Sequence, residues 1–186
     1  MRLFIAIELP EPLAAALRTY SLALAQQVPP RVVKWVDADK MHLTLVFLGE
    51  TPPDKVRLVQ AVLNVAAAAH PPFSLQPTHL SCFPNQTRPR TIWAGLGGDI
   101  QVAQSLKKTL DAGLEPLGWE PEKRPFAPHL TLGRVKDEGR GRVSLPWGET
   151  IKADAFPINT IHLMESQLQP SGPLYTVRHT AQLRRS

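Results

Sequence analysis

Large aliphatic residues recur at every second position at the start of the chain. In LFIAIEL, residues 3–9, Leu3, Ile5, Ile7 and Leu9 fall on one side of an extended segment. The period then lengthens. Pro10 and Pro12 suit the opening of a helix, and Leu13, Leu17, Tyr20 and Leu24 follow at helical spacing. After Pro29-Pro30 and Trp35 comes the tetrapeptide HLTL at 42–45. The same succession recurs 87 residues further on. In RTIWAGL, residues 90–96, Ile92, Ala94 and Leu96 stand where Ile5, Ile7 and Leu9 stood, and Gly97-Gly98 end the run. Asp99 is a candidate cap for a helix carrying Ile100, Ala103, Leu106, Leu110 and Leu114. HLTL then returns at 129–132. In both copies the histidine lies 37 positions after the central isoleucine, Ile5 or Ile92. Strand, helix and HLTL strand therefore repeat in order and in spacing, although two copies are too few for a solenoid.

The copies diverge after the motif. VFLGETPP leads into a helix with Val56, Val59, Val62, Leu63 and Ala66 facing inward, whereas GRVKDEGRGRVSLPWGE is polar and glycine-rich and predicts a mobile loop over 137–148. Runs at 73–83, 158–168 and 174–183 predict further strands, the last two joined as a hairpin by QPSGP. The expected fold class is α+β. A single domain over 1–186 would form two pseudo-symmetric lobes by internal duplication, each an antiparallel sheet with outer helices, facing across a central groove.

Composition narrows the partners. Hydrophobic residues at 43% and charged residues at 20% are globular values, and nineteen prolines cut the chain into short elements. A formal net charge of +5 favours an anionic partner, nucleic acid or phosphate first. The single cysteine, Cys82, leaves no internal disulfide and no multi-cysteine zinc cluster, as a cytoplasmic protein would have it. Nothing in the sequence reaches the length of a membrane span, and MRLFIAIELPEP reads as a first strand rather than a signal peptide.

In a strand, residues i and i+2 share a face. His42 and Thr44 therefore point one way and Leu43 and Leu45 the other; His129 and Thr131, backed by Leu130 and Leu132, do the same. Two imidazoles flanking one site make an acid–base pair near neutral pH, and threonine hydroxyls are neutral donors suited to phosphate oxygens. Neither motif contains a carboxylate that would repel an anion. His-x-Thr lacks the spacing of zinc-binding helices and no acidic cluster supplies oxygen ligands, so no metal and no cofactor are expected. His70 is expected to end a helix and His179 to lie on an edge strand, with His79 and His162 structural and Cys82 packed.

The paired motifs, with MRLFIAIELP, HLTLVFLGE, FPNQTRPRTIWAGL and PFAPHLTLGRV around them, resemble the two-histidine (2H) phosphoesterases, in the branch of RNA 2′,3′-cyclic phosphodiesterases also described as 2′-5′ RNA ligases. The resemblance runs from residue 1 to about Val177. It implies catalytic histidines at His42 and His129 and phosphate-contacting threonines at Thr44 and Thr131. It also implies a phosphate ligand at Arg134 and, at the same offset in the first motif, a base-stacking or lining residue at Phe47. The implied reaction is metal-independent hydrolysis of ribose 2′,3′-cyclic phosphate to a 2′-phosphate, with His129 as base and His42 as acid. The partners would be RNA with a 2′,3′-cyclic phosphate end or a cyclic nucleotide, and the protein a monomer. An extended RNA site could use Arg88, Arg90, Lys123, Arg124, Lys136, Arg140 and Arg142. The alternatives are reversible 2′-5′ RNA ligation with the same residues, a phosphodiesterase for another 2′-linked substrate, and a non-catalytic RNA- or nucleotide-binding module. An offset of five is odd, so a regular strand would turn Phe47 and Arg134 away from the His/Thr face. Gly133 could host a bulge that returns Arg134; no glycine precedes Phe47.

Overall fold

The computed structural model describes residues 1–184. The elements, in chain order, are β1 (Arg2–Glu8), α1 (Glu11–Ala25), β2 (Val33–Trp35), β3 (His42–Glu50), α2 (Pro53–Ala68), β4 (Phe73–Phe83), β5 (Thr91–Gly98), α3 (Ile100–Leu114), β6 (His129–Val135), β7 (Phe156–Ile158), β8 (Thr160–Gln169) and β9 (Gly172–Gln182). They form an α+β structure with two antiparallel sheets. One has the order β3-β1-β8-β9 and the other β2-β6-β5-β4-β7.

The sequence patterns explain most of these elements. Proline starts α1 as expected: the Pro10 carbonyl accepts from Leu13 N–H at 3.0 Å and Ala14 N–H at 3.1 Å. Asp99 stands before α3 but does not cap it; its carboxylate accepts from Ser74 N–H at 2.9 Å and ties the helix start to β4. The inward stripes of α1, α2 and α3 join one side of both sheets in a continuous apolar core. On β1 that side is Leu3, Ile5 and Ile7, and on β5 it is Ile92, Ala94 and Leu96.

Sequence halves and sheets do not coincide. β2 and β4, both from the first half, belong to the second sheet, while β8 and β9 return from the second half to the first sheet, β8 beside β1 and β9 at its edge. The run expected from 158 to 168 corresponds to β8, which pairs with β1 and β9; just before it stands a short strand that was not expected, β7, which pairs with β4, and the chain crosses between the sheets at Asn159. The 137–148 segment also differs from the untethered loop expected. It opens with a short 3-10 turn, Val143 and Leu145 are buried in the core, and Gly148 N–H donates to the Leu80 carbonyl at 2.8 Å. The apolar residues interleaved in that polar stretch anchor it.

Candidate functional site

β3 and β6 carry the two motifs and meet at the junction of the sheets, with Cα atoms within 8 Å. Their register is strongly fixed. Leu43, Leu45, Leu130 and Leu132 are each at most 2% exposed, and a one-residue slip of either strand would expose two of them at roughly 3–6 kcal/mol. The burial that holds these leucines in the core turns His42 and Thr44, and His129 and Thr131, to the opposite face.

The odd offset is resolved by a bulge in each strand. On β1, Glu8 faces His42 and Ala6 faces Thr44, but Ile5 faces Val46 and Phe4 faces Phe47. Leu45 is the extra residue. Phe4 and Ala6 share a face, so Phe47 is returned to the side of Thr44. On β5, Gly95 faces His129 and Trp93 faces Thr131, but Ile92 faces Gly133 and Thr91 faces Arg134. Leu132 is the extra residue there, at the same point of the motif, and Arg134 joins the His129/Thr131 face. The bulge does not need a glycine, because Leu45–Val46 forms it too. Gly133 has another reason to be glycine: a Cβ there would lie 2.9 Å from Val33 Cγ1 and 3.0 Å from Trp35 Cε3.

The two imidazoles are held alike. His42 Nδ1 is 2.9 Å from the Lys40 carbonyl, and His129 Nδ1 is 2.9 Å from the Ala127 carbonyl. A carbonyl only accepts, so Nδ1 carries the proton in both rings and Nε2 presents a lone pair while the ring is neutral. Around His42 stand Phe4 at 4.8 Å and Tyr175, edge-on, at 5.1 Å between ring centroids. Around His129 stand Phe83, edge-on at 5.3 Å, and Trp93 at 5.6 Å. Burial lowers the pKa of His42; the Lys40 carbonyl opposes this, the Arg134 guanidinium lowers it further, and Glu8 raises it. A side chain of the second motif is thus felt at the histidine of the first.

Thr44 and Thr131 are half-buried beside their histidines, and Arg134 and Phe47 are exposed on the same face. The lysines and arginines considered for an extended site are all exposed, and Arg140 is paired with Asp137 at 2.7 Å. His70 bridges α2 to α3 through Ala66 O and Ser105 Oγ, and His179 bonds Asn64 on α2. Cys82 is buried, as expected. His162 is held by the hydroxyls of Thr160 and Thr180 and lies 3.6 Å from Glu8, directly across β1 from the Thr44 position. His79 lies on β4 with its side chain exposed, 5.8 Å from Trp93.

The sequence reading missed the aromatic lining: Phe4 and Tyr175 near His42, and Phe83 and Trp93 near His129. It also missed Glu8. The signal was present, because Phe4, Ala6 and Glu8 are the alternate face of β1, and Thr91, Trp93 and Gly95 are their counterparts 87 positions on. A cavity of about 670 Å³ lies elsewhere, between the start of α1 and residues 152–157. Its only charged lining groups are Lys152 and Asp154, so it holds none of this chemistry. Among the described residues no group of three or more His, Cys, Asp and Glu side chains is gathered as metal ligands, and no helix is long and apolar enough to cross a membrane.

Two bulged His-x-Thr strands on a two-sheet α+β frame define a phosphoesterase class. The chain belongs to the LigT-like phosphoesterase family, whose model matches residues 7–93 and 99–175. Among its relatives, the RNA 2′,3′-cyclic phosphodiesterase of Thermus thermophilus is 34% identical over 196 residues, covering 99% of this chain and 91% of that protein. The RNA 2′,3′-cyclic phosphodiesterase of Methanocaldococcus jannaschii is 30% identical over 180 residues, covering 95% and 98%. The crystal structure of TT0787 of Thermus thermophilus superposes with a TM-score of 0.81 at 32% identity, covering 99% of this chain and 98% of that one.

Proposed function

We propose that this protein, acting as one duplicated two-lobed domain, hydrolyses the 2′,3′-cyclic phosphate of an RNA end or a nucleotide to a 2′-phosphomonoester without a metal ion. The observation that carries the reading is the matched pair of histidines. Each follows the same bulge logic, each donates Nδ1–H to the carbonyl two residues before it, and each leaves Nε2 for the substrate.

The chemistry balances with those two nitrogens. Water attacks phosphorus in line with O3′; the P–O bond to water forms as the P–O3′ bond breaks. His129 Nε2 takes a proton from the water, and protonated His42 gives its Nε2 proton to O3′. One water is consumed, and exchange with solvent resets both rings. Thr44, Thr131 and Arg134 donate to the non-bridging oxygens, where charge builds in the transition state. Phe47 offers its face to the base. His42 as acid carries a specific demand. Burial favours its neutral form in the empty site, so it must gain its proton as the phosphate binds, drawn by the anion beside it.

The test is incubation with 2′,3′-cyclic AMP in EDTA, with the product isomer assigned by phosphorus NMR. The expected product is 2′-AMP. Formation of 3′-AMP, or no turnover, overturns the reading.

A further inference from the structure

Of the six Phe, four Trp and two Tyr in the chain, only Phe47 and Phe83 are exposed, at 75% and 43%. They lie on different sheets. Phe47 packs over Phe4, 6.5 Å between centroids, on the His42 side. Phe83 lies against Trp93 at 4.9 Å, tilted 36°, with its ring edge-on to His129. A cyclic mononucleotide has one base and can use one of these surfaces. Exposed aromatic surface is costly to leave in water, and a second platform beside the same phosphate has no use for such a substrate.

We propose that the Phe83–Trp93 pair stacks the base of the penultimate nucleotide, so that the site is built for RNA ends rather than for cyclic mononucleotides. The loop leaving the platform, PNQTRPR at 84–90, contains Arg88 and Arg90 and no acidic residue. Both arginines are exposed, and among the described residues neither is in an ion pair. Stacking faces interleaved with free cations are how single strands are held without sequence preference. The loop is tied to the platform by Arg90 N–H donating to the Phe83 carbonyl at 2.7 Å, and to β6 by Val135 N–H donating to the Arg90 carbonyl at 2.8 Å. The platform therefore moves with the strand that carries His129. His79, exposed on the other side of Trp93, adds a donor at the rim.

This inference rests on the cyclic-phosphodiesterase reading, and one experiment separates their failures. The kcat/KM is measured for adenosine 2′,3′-cyclic phosphate, for the dinucleotide ending in the same group, and for that dinucleotide with an abasic penultimate unit. Wild type and Phe83→Leu are compared; leucine keeps apolar bulk behind His129 but removes the stacking face. The wild-type preference for the dinucleotide over the mononucleotide is expected to be roughly 5- to 150-fold, the worth of stacking one base. It should fall towards unity in Phe83→Leu and for the abasic substrate. Equal rates for all three substrates in wild type, or a preference that survives both changes, overturns the platform while leaving the hydrolase intact. No hydrolysis of any of the three overturns the activity itself.

Discussion

Gly133→Ala separates the stability of the bulge from its function. The added Cβ would lie 2.9 Å from Val33 Cγ1, 3.0 Å from Trp35 Cε3 and 3.4 Å from the Lys34 carbonyl oxygen, all on β2. Something must move. β2 is a three-residue edge strand bonded to β6 alone, whereas β6 is held on its other side by β5 from Gly95 to Thr91. The weaker partner should yield, so β2 shifts outward and Arg134 stays opposite Thr91. Overpacking of this kind costs about 1–3 kcal/mol. For a chain of this size that corresponds to roughly 2–12 °C in Tm. The assay is a thermal melt alongside kcat/KM on 2′,3′-cyclic AMP, with Arg134→Ala as the converse. Gly133→Ala should melt lower and keep its kcat/KM. Arg134→Ala, an exposed position, should keep its Tm and lose about 10²–10³-fold in rate, as for removing one oxyanion donor. A Gly133→Ala protein that melts normally but has lost activity would refute the crowding argument and mean that the bulge itself requires glycine.

Three further outcomes are expected. His42→Ala and His129→Ala should each lower kcat about 10²–10⁴-fold, the usual contribution of one acid or base, with the fold kept by circular dichroism; EDTA should leave wild-type turnover unchanged, and a chelator-sensitive rate would sink the metal-free mechanism. Burial lowers the pKa of both His42 and His162 below the ordinary 6.5, so between those values the unfolded chain binds more protons than the folded one. Stability is then full above about pH 6.5 and declines as pH falls through that value, and Tm at pH 5.5 should lie below Tm at pH 7.5, with a smaller difference in His162→Asn; a flat or inverted profile contradicts the burial argument. Nitrogen NMR of the His42 ring should find its pKa higher with 2′-AMP bound than in the free protein, and an unchanged value would remove His42 from the acid role.

The parts of the structure governed by local periodicity were legible. β1 and β5 place aliphatic residues at every second position on the side that meets the helices; on β1 the other side is buried too, by Phe4 and Ala6 with Met164. α1 and α3 carry clean stripes, and the Leu pairs of HLTL fix which way His and Thr point. Features set by distant partners were not. β2 is three residues long and exists because Gly133 accepts Val33 and Trp35 so closely, a pairing about 100 positions apart in sequence. β7 is three residues long, and although Pro157 and Asn159 mark a break before β8, nothing local says that the two strands belong to different sheets; that is set by the pairing of β7 with the distant β4. The bulge at Leu45 was invisible for a related reason. Its backbone needs no special residue, so only the partner strand reveals that Thr44 and Phe47 share a face.

The matched frame makes the differences between its copies informative. Positions 87 apart exchange character in pairs: Phe4 and Phe47, opposite one another on the first sheet, become Thr91 and Arg134 on the second. An aromatic pair in one place is a polar, cationic pair in the other. Glu8, beside His42, becomes Gly95 beside His129, where even a Cβ would strike Thr78 Oγ1 at 2.9 Å and the His79 ring at 3.0 Å. A substrate with one phosphate and one terminal base needs a cation for the first and a flat apolar surface for the second. Two arginines would waste the base contact and would place a second positive charge near His42, lowering further a pKa that burial already depresses. Glu8 acts the other way, favouring protonation of the His42 ring, as it does of His162 on its other side. On the proposed mechanism the backbone repeats so that two imidazoles can address one phosphorus. On the same mechanism the side chains around it would differ because the rest of the substrate is not symmetric, and because one imidazole would give a proton while the other takes one.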